Sequence, residues 1–254
     1  MNVLITAGGT SEPIDSVRSI TNTGTGRLGS LIADAFADRD NANHIYFVCA
    51  QNAVRPTSSR IQTIPIQCTQ DLQNAVEDLL KREKIDAVIH SMAVSDYRAK
   101  AVLSTTSLAE ALQRKLHTAK ETTISEEMIL QSIMQTAKIE SGKKLSSQVE
   151  HPLLLLEQTP KILPQFRQLA PDAVIVGFKL LSNVPRTELL QTAHRLLVNS
   201  GCDFVLANDS VQIGKSQHVA FLVDHTGLFE TYSTKQEIAA GIVNAVLRKE
   251  PRAK

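Results

Sequence analysis

The residues whose types and spacing most clearly suggest a chemical function lie near the start of the chain. A short apolar run ends in Gly8-Gly9-Thr10, and further glycines from Gly24 and Gly26 onward form a G-x-G-x-x-G pattern that opens a helical segment. Glycines at the start of a helix let backbone amides approach phosphate oxygens, and the helix N-terminus favours negative charge. Gly8, Gly9, Thr10, Gly24 and Gly26 therefore predict a phosphate-binding site.

A polar loop separates the two glycine segments and distinguishes this pattern from the usual dinucleotide fingerprint. In that fingerprint the glycines follow the first strand directly, and an acidic residue about 20 positions further on binds the ribose. Here Arg18 and Asn22 precede the second glycine segment, and the next apolar run ends in Ala50-Gln51 without a carboxylate. An arginine and an asparagine are useful beside a nucleotide or an acyl phosphate, whereas the glycines alone could serve close helix–strand packing.

Further candidates follow predicted strands, at the edge where open α/β sheets bind ligands. Asp96 comes shortly after Ser91 and Met92. A base or ribose could lie against this backbone while Asp96 and nearby amides bind its edge, or Asp96 could be a turn residue. Phe178 ends another run and could stack on a base or fill the core. Asn208-Asp209 end the last predicted parallel strand, although both residue types also form turns.

Two other features leave alternatives open. Lys143 and Lys144 stand in a polar segment, where a lysine could swing over a triphosphate or simply be solvated. Tyr97 and Lys100 come near the Tyr–Lys pair of short-chain dehydrogenases, but the lysine is one residue early. An NAD(P)- or flavin-binding oxidoreductase with a Rossmann-type fold is therefore the weaker alternative function.

The scaffold for these residues is predicted as an α/β fold. Short β-rich runs alternate with helical patterns, which is typical of a parallel sheet with helices on both faces. The expected fold is a Rossmann-like, doubly wound, mostly parallel sheet in a single domain over 1–254, with a flap insertion at about 102–150 and a C-terminal β-hairpin plus helix. The predicted strands are 3–6, 44–49, 61–66, 87–91, 173–178 and 204–207, the helices 27–37, 69–83, 160–169, 186–199 and 234–248, the hairpin strands 218–223 and 228–232, and the insertion helices 108–116 and 126–136.

Composition narrows the classes of protein that this chain can be. A net charge of +1 over 254 residues gives no basic face of the kind that binds nucleic acid. Three scattered cysteines read as reduced core residues, and no apolar run reaches the ~20 residues that a bilayer span needs. With a strand beginning at residue 2, no room is left for a signal peptide, so a cytoplasmic protein is expected. The seven histidines show no metal-ligand spacing, and a structural role is expected for each; no metal-ligating residue is predicted.

The motifs together resemble the phosphopantothenoylcysteine synthetase family of coenzyme A biosynthesis, in its stand-alone bacterial form. The resemblance rests on ITAGGTSEPIDSVRSITNTGTGRLG (5–29), SMAVSDYRA (91–99), KKLSS (143–147), TPKIL (159–163), VGFKL (176–180) and FVLAND (204–209), in the family's order. It implies a homodimeric, CTP-dependent ligase that uses Mg²⁺ and joins 4′-phosphopantothenate to L-cysteine through an acyl-cytidylate.

The resemblance also implies roles for individual residues. Asn22 corresponds to the asparagine linked to the acyl-nucleotide step, and Arg18 to an arginine four positions before it. Lys144, or the adjacent Lys143, corresponds to a lysine on a flap over the nucleotide. The implied nucleotide contacts are Ser91, Met92, Asp96, Phe178 and Arg195. Met92 departs from the family's small residue, and Gly24 and Thr25 replace serines, which affects nucleotide choice more than the reaction.

Overall fold

A computed structural model describes residues 1–39, 44–119, 122–137, 151–214 and 217–249. The strands are β1 (Asn2–Ala7), β2 (Ser11–Pro13), β3 (Ser19–Thr21), β4 (His44–Ala50), β5 (Gln62–Ile66), β6 (Ala87–His90), β7 (Tyr97–Ser104), β8 (Pro152–Gln158), β9 (Val174–Leu181), β10 (Phe204–Ile213), β11 (His218–Asp224) and β12 (Phe229–Tyr232). The helices are α1 (Arg27–Arg39), α2 (Thr69–Arg82), α3 (Thr105–Ala119), α4 (Glu126–Thr136), α5 (Leu163–Leu169), α6 (Arg186–Ser200) and α7 (Lys235–Arg248).

The backbone contacts divide the described chain into two units. The first unit combines Met1–Thr10, Asn22–Val94 and the part of the chain from Pro160 onward. The second unit combines Ser11–Thr21 with Ser95–Thr159. The polar loop and the predicted insertion therefore belong together, although the sequence separates them.

The first unit is built on one large sheet with the strand order β12-β11-β10-β9-β6-β1-β4-β5. All neighbours from β10 to β5 are parallel, and β11 and β12 join as antiparallel strands at the β10 end. The chain enters at β1, builds outward to β5, and then continues on the other side of β1 from β6. The strand order reverses between β1 and β6, and such a switch point is where open α/β sheets bind ligands.

Strict alternation along the strands sends neighbouring residues to opposite faces of the sheet. Val3 and Ile5 pack with α1 and α7, on what we call the α1–α7 face. Leu4 and Val88 pack with α2, α5 and α6, on the α2–α6 face. Because both faces are covered, the inner strands are almost continuously apolar, which is why the sequence shows them so clearly.

The second unit contains two small antiparallel sheets and a helix pair. β2 pairs with β3, and β7 pairs with β8 from Tyr97 opposite Gln158 to Ser104 opposite Pro152. Arg98 and Lys100 on β7 form ion pairs with Glu157 on β8 at 2.8 and 3.6 Å. Hydrogen bonding from Arg98 lowers the pKa of the Glu157 carboxyl. α3 and α4 pack on one another.

The predicted α/β fold is confirmed, with differences at particular elements. All six predicted parallel strands, the hairpin and the C-terminal helix are present, and α4 matches the predicted 126–136. β10 continues to Ile213, which pairs with His218 of β11 after an irregularity in the register that follows Asn208. α5 starts at Leu163, with a proline in its first turn, and not at 160. No described helix is long and apolar enough to cross a membrane.

Candidate nucleotide site

The two glycine segments meet at the carboxyl end of β1. Gly8 has φ +94° and Gly26 has φ +72°, conformations that side chains rarely adopt. A Cβ on Gly9 would lie 2.2 Å from the Asn22 carbonyl oxygen, and one on Gly24 would lie 2.7 Å from the Gly8 carbonyl oxygen. These glycines therefore permit close packing of backbone on backbone, the alternative that the sequence left open. That packing also places the start of α1 beside the turn after β1.

Backbone hydrogen bonds fix this junction. Asn22 N–H donates to Thr10 O at 3.1 Å, Thr10 N–H donates to Ala93 O at 3.1 Å, and Ala93 N–H donates to Gly8 O at 2.8 Å. The Asn22 side chain contributes too, because its Nδ2 donates to Ala93 O at 3.0 Å. Its carboxamide oxygen has no hydrogen-bond partner among the described residues. The structure thus brings Asn22 together with Gly8, Gly9, Thr10 and Gly24, as the sequence predicts.

The start of α1 has the character of an anion site. Within the described chain, the backbone N–H groups of Gly24, Thr25 and Gly26 donate to no protein acceptor. The first turn of α1 contains no acidic residue. Unpaired amides and the positive end of a helix dipole attract phosphate oxygens. The α1 N-terminus can therefore hold a phosphate without a dedicated cationic side chain.

Arg55 supports this region, and sequence reasoning did not select it. The loop after β4 packs against the glycines: Val54 N–H donates to Thr25 O at 3.0 Å, and a Cβ on Gly26 would lie 2.8 Å from Ala53 Cβ. The Arg55 guanidinium holds that loop by donating to Gln51 O at 3.1 Å and by contacting the Cys49 sulfur. The local sequence does not predict this role of Arg55, because its partners come close only through the conformation of the loop.

Ser91 and Met92 follow β6, next to the glycine turn. The Ser91 hydroxyl donates to Thr6 O at 2.7 Å, so its role is at least partly structural. Met92 is only 6% exposed, and its side chain packs in the core of the α2–α6 face. A large apolar side chain is therefore accommodated in the core at this position.

Phe178 and Arg195 have different positions relative to this edge. Phe178 is half-buried near the carboxyl end of β9, against the core of the α1–α7 face. Arg195 instead lines a shallow pocket with His194 and Gly227, at the turn between β11 and β12. That turn lies toward the amino ends of the parallel strands, since β11 runs antiparallel to β10. Arg195 therefore lies away from the carboxyl ends of the strands, because α6 has run back along the sheet, about 1.5 Å per residue, before it reaches Arg195. Its contact with a nucleotide stays a prediction.

Arg18 and Asp96 belong to the second unit. Asp15 fixes the Arg18 turn by accepting the backbone N–H groups of Val17 and Arg18 at 2.8 Å each. Asp15 also forms an ion pair with the Arg18 side chain at 3.4 Å. Asp96 is exposed, and its carbonyl oxygen accepts the Thr159 N–H at 3.0 Å. Lys143 and Lys144 lie outside the described residues.

The Asn208-Asp209 pair has mainly structural contacts. Asp209 accepts the backbone N–H groups of Asn183 and Val184 at 2.9 and 3.0 Å, and these bonds lower the pKa of its carboxyl. It therefore holds the loop that leads into α6. Asn208 is buried and lies 2.9 Å from His218. The sequence predicts polar residues at the end of this strand but not the hydrogen-bond partners of their side chains.

The described residues contain no cluster of three or more His, Cys, Asp or Glu side chains that could hold a metal ion. A Mg²⁺ ion bound to a triphosphate takes most of its ligands from phosphate oxygens and water.

Comparison with known proteins shows the family of the chain. Residues 1–135 and 134–249 match the model of the DNA/pantothenate metabolism flavoprotein C-terminal domain. The chain is 29% identical over 221 residues to the coenzyme A biosynthesis bifunctional protein CoaBC of Thermococcus kodakarensis, covering 87% of this chain and 44% of that protein. It is 26% identical over 246 residues to CoaBC of Methanocaldococcus jannaschii, covering 96% and 50%. The chain thus spans about half the length of these curated relatives.

Solved structures give the same result. The crystal structure of the DNA/pantothenate metabolism flavoprotein from Streptococcus pneumoniae superposes with a TM-score of 0.79 at 30% identity, covering 97% of this chain and 98% of that one. A Cab2 mutant in complex with phosphopantothenate-cysteine shares the fold, with a TM-score of 0.65 at 16% identity over 97% of this chain and 85% of that one. The chain therefore belongs to the DNA/pantothenate metabolism flavoprotein C-terminal domain family.

Proposed function

We propose that this protein is a CTP-dependent phosphopantothenate–cysteine ligase. The observation that carries the proposal is the junction at the carboxyl end of β1, where Asn22 lies beside the unpaired amides at the start of α1. An anion site next to an uncharged amide suits a reaction in which an acyl group is joined to a nucleoside phosphate. The family and the names of the relatives supply the substrates: CoaBC is named for coenzyme A biosynthesis, and the Cab2 complex contains phosphopantothenate-cysteine.

The proposed reaction has two steps. A carboxylate oxygen of 4′-phosphopantothenate attacks the α-phosphorus of CTP, the bond from that phosphorus to the bridging oxygen breaks, and pyrophosphate leaves. The cysteine amine then attacks the acyl carbon of the acyl-cytidylate. The bond from that carbon to the phosphate oxygen breaks, the ammonium proton is released to solvent, and CMP leaves with the oxygen that came from the carboxylate.

Each residue at the junction has a role in the proposed reaction. The amides of Gly24, Thr25 and Gly26 would bind phosphate oxygens and stabilise negative charge that develops there. The Asn22 carboxamide is fixed by Ala93 and would hold the acyl-cytidylate through its remaining polar groups. Phe178, at the same edge of the sheet, would contact the base. Ser91 and the Met92 backbone would complete the nucleotide pocket.

The resemblance assigns further roles to charged residues. By resemblance, Arg18 acts in the acyl-nucleotide step, Asp96 binds the nucleotide, and Lys144 or Lys143 neutralises the reacting phosphates. A carboxylate and a triphosphate repel one another, so cationic groups near the α-phosphate lower the barrier to the first step. Mg²⁺ would arrive with the nucleotide and supply further charge compensation.

A coupled assay tests the proposal. Purified protein is incubated with CTP, 4′-phosphopantothenate, L-cysteine and Mg²⁺, and both pyrophosphate and orthophosphate are measured. We expect one pyrophosphate per dipeptide-like product, and no release when phosphopantothenate is omitted. Release of orthophosphate in place of pyrophosphate, or turnover of NADH or a flavin instead, would reject the assignment. Replacing CTP with ATP in parallel measures the nucleotide preference.

We also propose that the protein is a cytoplasmic homodimer. Free cysteines at Cys49, Cys68 and Cys202 suit a reducing compartment. β8 exposes Leu153, Leu154 and Leu156, and α4 exposes further large apolar side chains. Exposed apolar surface of this kind is typical of a protein–protein interface. Sedimentation at micromolar concentration should show a dimer, and a fully active monomer would contradict it.

A further inference from the structure

A buried hydrogen bond between side chains joins the two strands that border the switch point. β1 and β6 are parallel, and their register ends with Thr6 opposite His90. The Thr6 Oγ1 atom lies 2.7 Å from His90 Nδ1, and the two residues are 0% and 7% exposed. Strand alternation places both side chains on the α2–α6 face, with Leu4 and Val88 two positions earlier. The proposed reaction gives neither side chain a role, and His90 was expected to be structural.

The His90 ring is fixed in place and neutral. It packs against Phe166 of α5, with the ring centroids 5.1 Å apart and the planes tilted by 60°. Burial lowers the pKa of His90 to about 4, so the ring is uncharged near neutral pH. The Thr6 hydroxyl can donate or accept, so the contact is a hydrogen bond in either neutral tautomer. Thr6 and His90 therefore form a stable link between the carboxyl ends of β1 and β6.

The turn that follows β6 is attached to β1 and to the glycine turn beyond β1. The N–H and hydroxyl groups of Ser91 both donate to Thr6 O, at 3.1 and 2.7 Å. Two residues further on, Ala93 N–H donates to Gly8 O at 2.8 Å. The position of this turn therefore depends on how the ends of β1 and β6 are held together, which is what the bond between Thr6 and His90 does.

The same turn holds the side chain of Asn22. Ala93 O accepts the Asn22 Nδ2 donor at 3.0 Å and the Thr10 N–H at 3.1 Å. A shift of the turn after β6 would therefore move the Asn22 carboxamide with it. The start of α1 has a further support of its own, because Val54 N–H donates to Thr25 O at 3.0 Å. Loss of the bond between β1 and β6 should therefore affect Asn22 more than the anion site.

We propose that the hydrogen bond between Thr6 and His90 positions Asn22 for the acyl-cytidylate step, through the turn that contains Ala93. Thr6 and His90 are positioning residues in this role, because they act through Asn22 and not on the substrate. The inference rests on the proposed function, since it requires Asn22 to hold the acyl-cytidylate. A displacement of about 1 Å at a reacting centre can cost 10²-fold in rate, so the smaller displacement that follows loss of this bond should cost about tenfold.

Apolar replacement of both partners separates positioning from stability. Thr6→Val keeps the shape of the side chain but leaves the buried His90 Nδ1 atom unpaired, so it should lose stability as well as turnover. In Thr6→Val/His90→Phe no polar atom of the pair remains, and stability should largely return. Urea unfolding measures the stability, and ligation is measured as kcat per folded molecule.

The double variant gives the decisive comparison. We expect its kcat to stay about tenfold low, with the KM for CTP within about twofold of the wild-type value, because the anion site keeps its own support. Recovery of wild-type kcat together with stability would overturn the proposal, because the bond would then only support the fold.

Two single variants serve as controls. Thr6→Ser keeps the hydroxyl group and should keep kcat near the wild-type value, so a loss equal to that of Thr6→Val would reject a role for the hydrogen bond. Val205→Ala removes apolar volume from the core of the α2–α6 face on β10, away from this bond, and should lower stability with little change in kcat. A tenfold loss of kcat in Val205→Ala would also count against the proposal, because kcat would then follow stability alone.

A double-mutant cycle tests the coupling to Asn22. Thr6→Val is combined with Asn22→Asp, and kcat is compared with that of each single variant. If Thr6 acts through Asn22, its tenfold effect should shrink to less than about twofold once Asn22 is replaced. Additive losses would contradict the proposal. The cycle holds even if Thr6→Val/His90→Phe fails to fold, and that variant takes the place of Thr6→Val if the single variant is the one that fails.

The outcomes separate the two proposals. Wild-type protein that forms no phosphopantothenoylcysteine would reject both the ligase assignment and the positioning role. Active wild-type protein with near-normal turnover in Asn22→Asp would leave the ligase assignment in place but reject the positioning role, because Asn22 would not act in the reaction. Active wild-type protein with additive losses, or with wild-type kcat in Thr6→Val/His90→Phe, would reject only the role of the bond between Thr6 and His90.

Discussion

At the scale of a single residue, Asn22 is the side chain whose fixed position best suits the proposed acyl-nucleotide step. Its backbone joins the Thr10 turn, and its Nδ2 donates to Ala93 O at 3.0 Å, so the carboxamide is fixed before substrate arrives. A fixed uncharged group can hold an acyl-nucleotide without adding repulsion beside the phosphates. Aspartate has the same size but no amide hydrogens and one negative charge.

We therefore expect Asn22→Asp to lower overall ligation by about 10²-fold or more, the effect of losing one positioned donor. The measurement is steady-state formation of phosphopantothenoylcysteine, with thermal unfolding recorded in parallel. The adjacent exposed Thr23→Ala variant is the matched control and should retain wild-type turnover. Near-normal turnover in Asn22→Asp would remove Asn22 from the mechanism.

The prediction for the lysine pair separates two adjacent residues. Lys144→Gln should fold normally, because it replaces one polar residue by another in a polar segment of the sequence, and such substitutions rarely change stability by more than ~0.5 kcal/mol. It should nevertheless fail to release pyrophosphate from CTP and phosphopantothenate even when cysteine is omitted. Lys143→Gln serves as the neighbouring control. An active Lys144→Gln with an inactive Lys143→Gln shifts the role by one residue, and full activity in both disproves a flap lysine.

Gly26 shows how one element, the start of α1, depends on a glycine. Its φ of +72° costs any side chain about 1 kcal/mol, and a Cβ would lie 2.8 Å from Ala53 Cβ. Gly26→Ala should therefore destabilise the protein by more than 1 kcal/mol and raise the KM for the nucleotide. Urea unfolding and initial rates measure the two effects.

Two further variants isolate the causes. In Gly214→Ala the nearest atom to the new Cβ is 3.7 Å away, so this glycine is a control that should lose little stability. Adding Ala53→Gly to Gly26→Ala should restore the part of the loss that comes from contact with Ala53. Equal stability of the Gly26→Ala and Gly214→Ala proteins would contradict this description of the turn.

Two buried histidines, one at the end of β6 and one at the start of β11, make stability depend on pH. The pKa values of His90 and His218 are lowered from 6.5 to about 4 in the folded protein. Between these two pH values the unfolded chain binds protons that the folded protein does not. The contribution of the two neutral histidines to the free energy of unfolding is therefore complete above pH 6.5. It falls as the pH drops toward 4, by up to roughly 3 kcal/mol for each histidine.

Urea unfolding between pH 7 and pH 4.5 should show this loss, and His90→Gln should make the pH dependence shallower, although it also loses the bond to Thr6. An identical slope in the variant and the wild-type protein would show that other groups carry the pH dependence.

The same scale shows what the sequence could predict. The parallel strands were predictable because burial on both faces makes runs such as β1 almost wholly apolar. β2 and β3 were not, because strands of three residues have no measurable alternation and are fixed only by pairing with one another. β10 was predicted too short, since its last three residues are exposed and its register with β11 is interrupted between Asn208 and Ile213.

The candidate site was predictable to the same extent. Glycines and Asn22 carry a local signal, because a positive φ or a tight approach restricts the residue type directly. The contact between Asn208 and His218 has no local sequence signal, because it forms only when β10 pairs with β11, and neither residue indicates that pairing. The position of Arg195 carries no such signal either, because a helix pattern predicts which residues share a face but not which end of the sheet they reach.

At the scale of the whole molecule, the proposed chemistry needs more than an anion site. The first unit contains the start of α1 and Asn22, and the resemblance adds roles for Arg18, Asp96 and Lys144. The central claim is that the protein forms an acyl-cytidylate from the carboxylate of phosphopantothenate.

The most direct measurement of this claim is the transfer of oxygen-18. Phosphopantothenate labelled in both carboxylate oxygens is converted completely in the presence of CTP and cysteine, and the CMP, pyrophosphate and any orthophosphate are analysed by mass spectrometry. An acyl-cytidylate predicts one labelled oxygen in each CMP and unlabelled pyrophosphate. Label in orthophosphate, which an acyl phosphate would produce, or unlabelled CMP would contradict the mechanism.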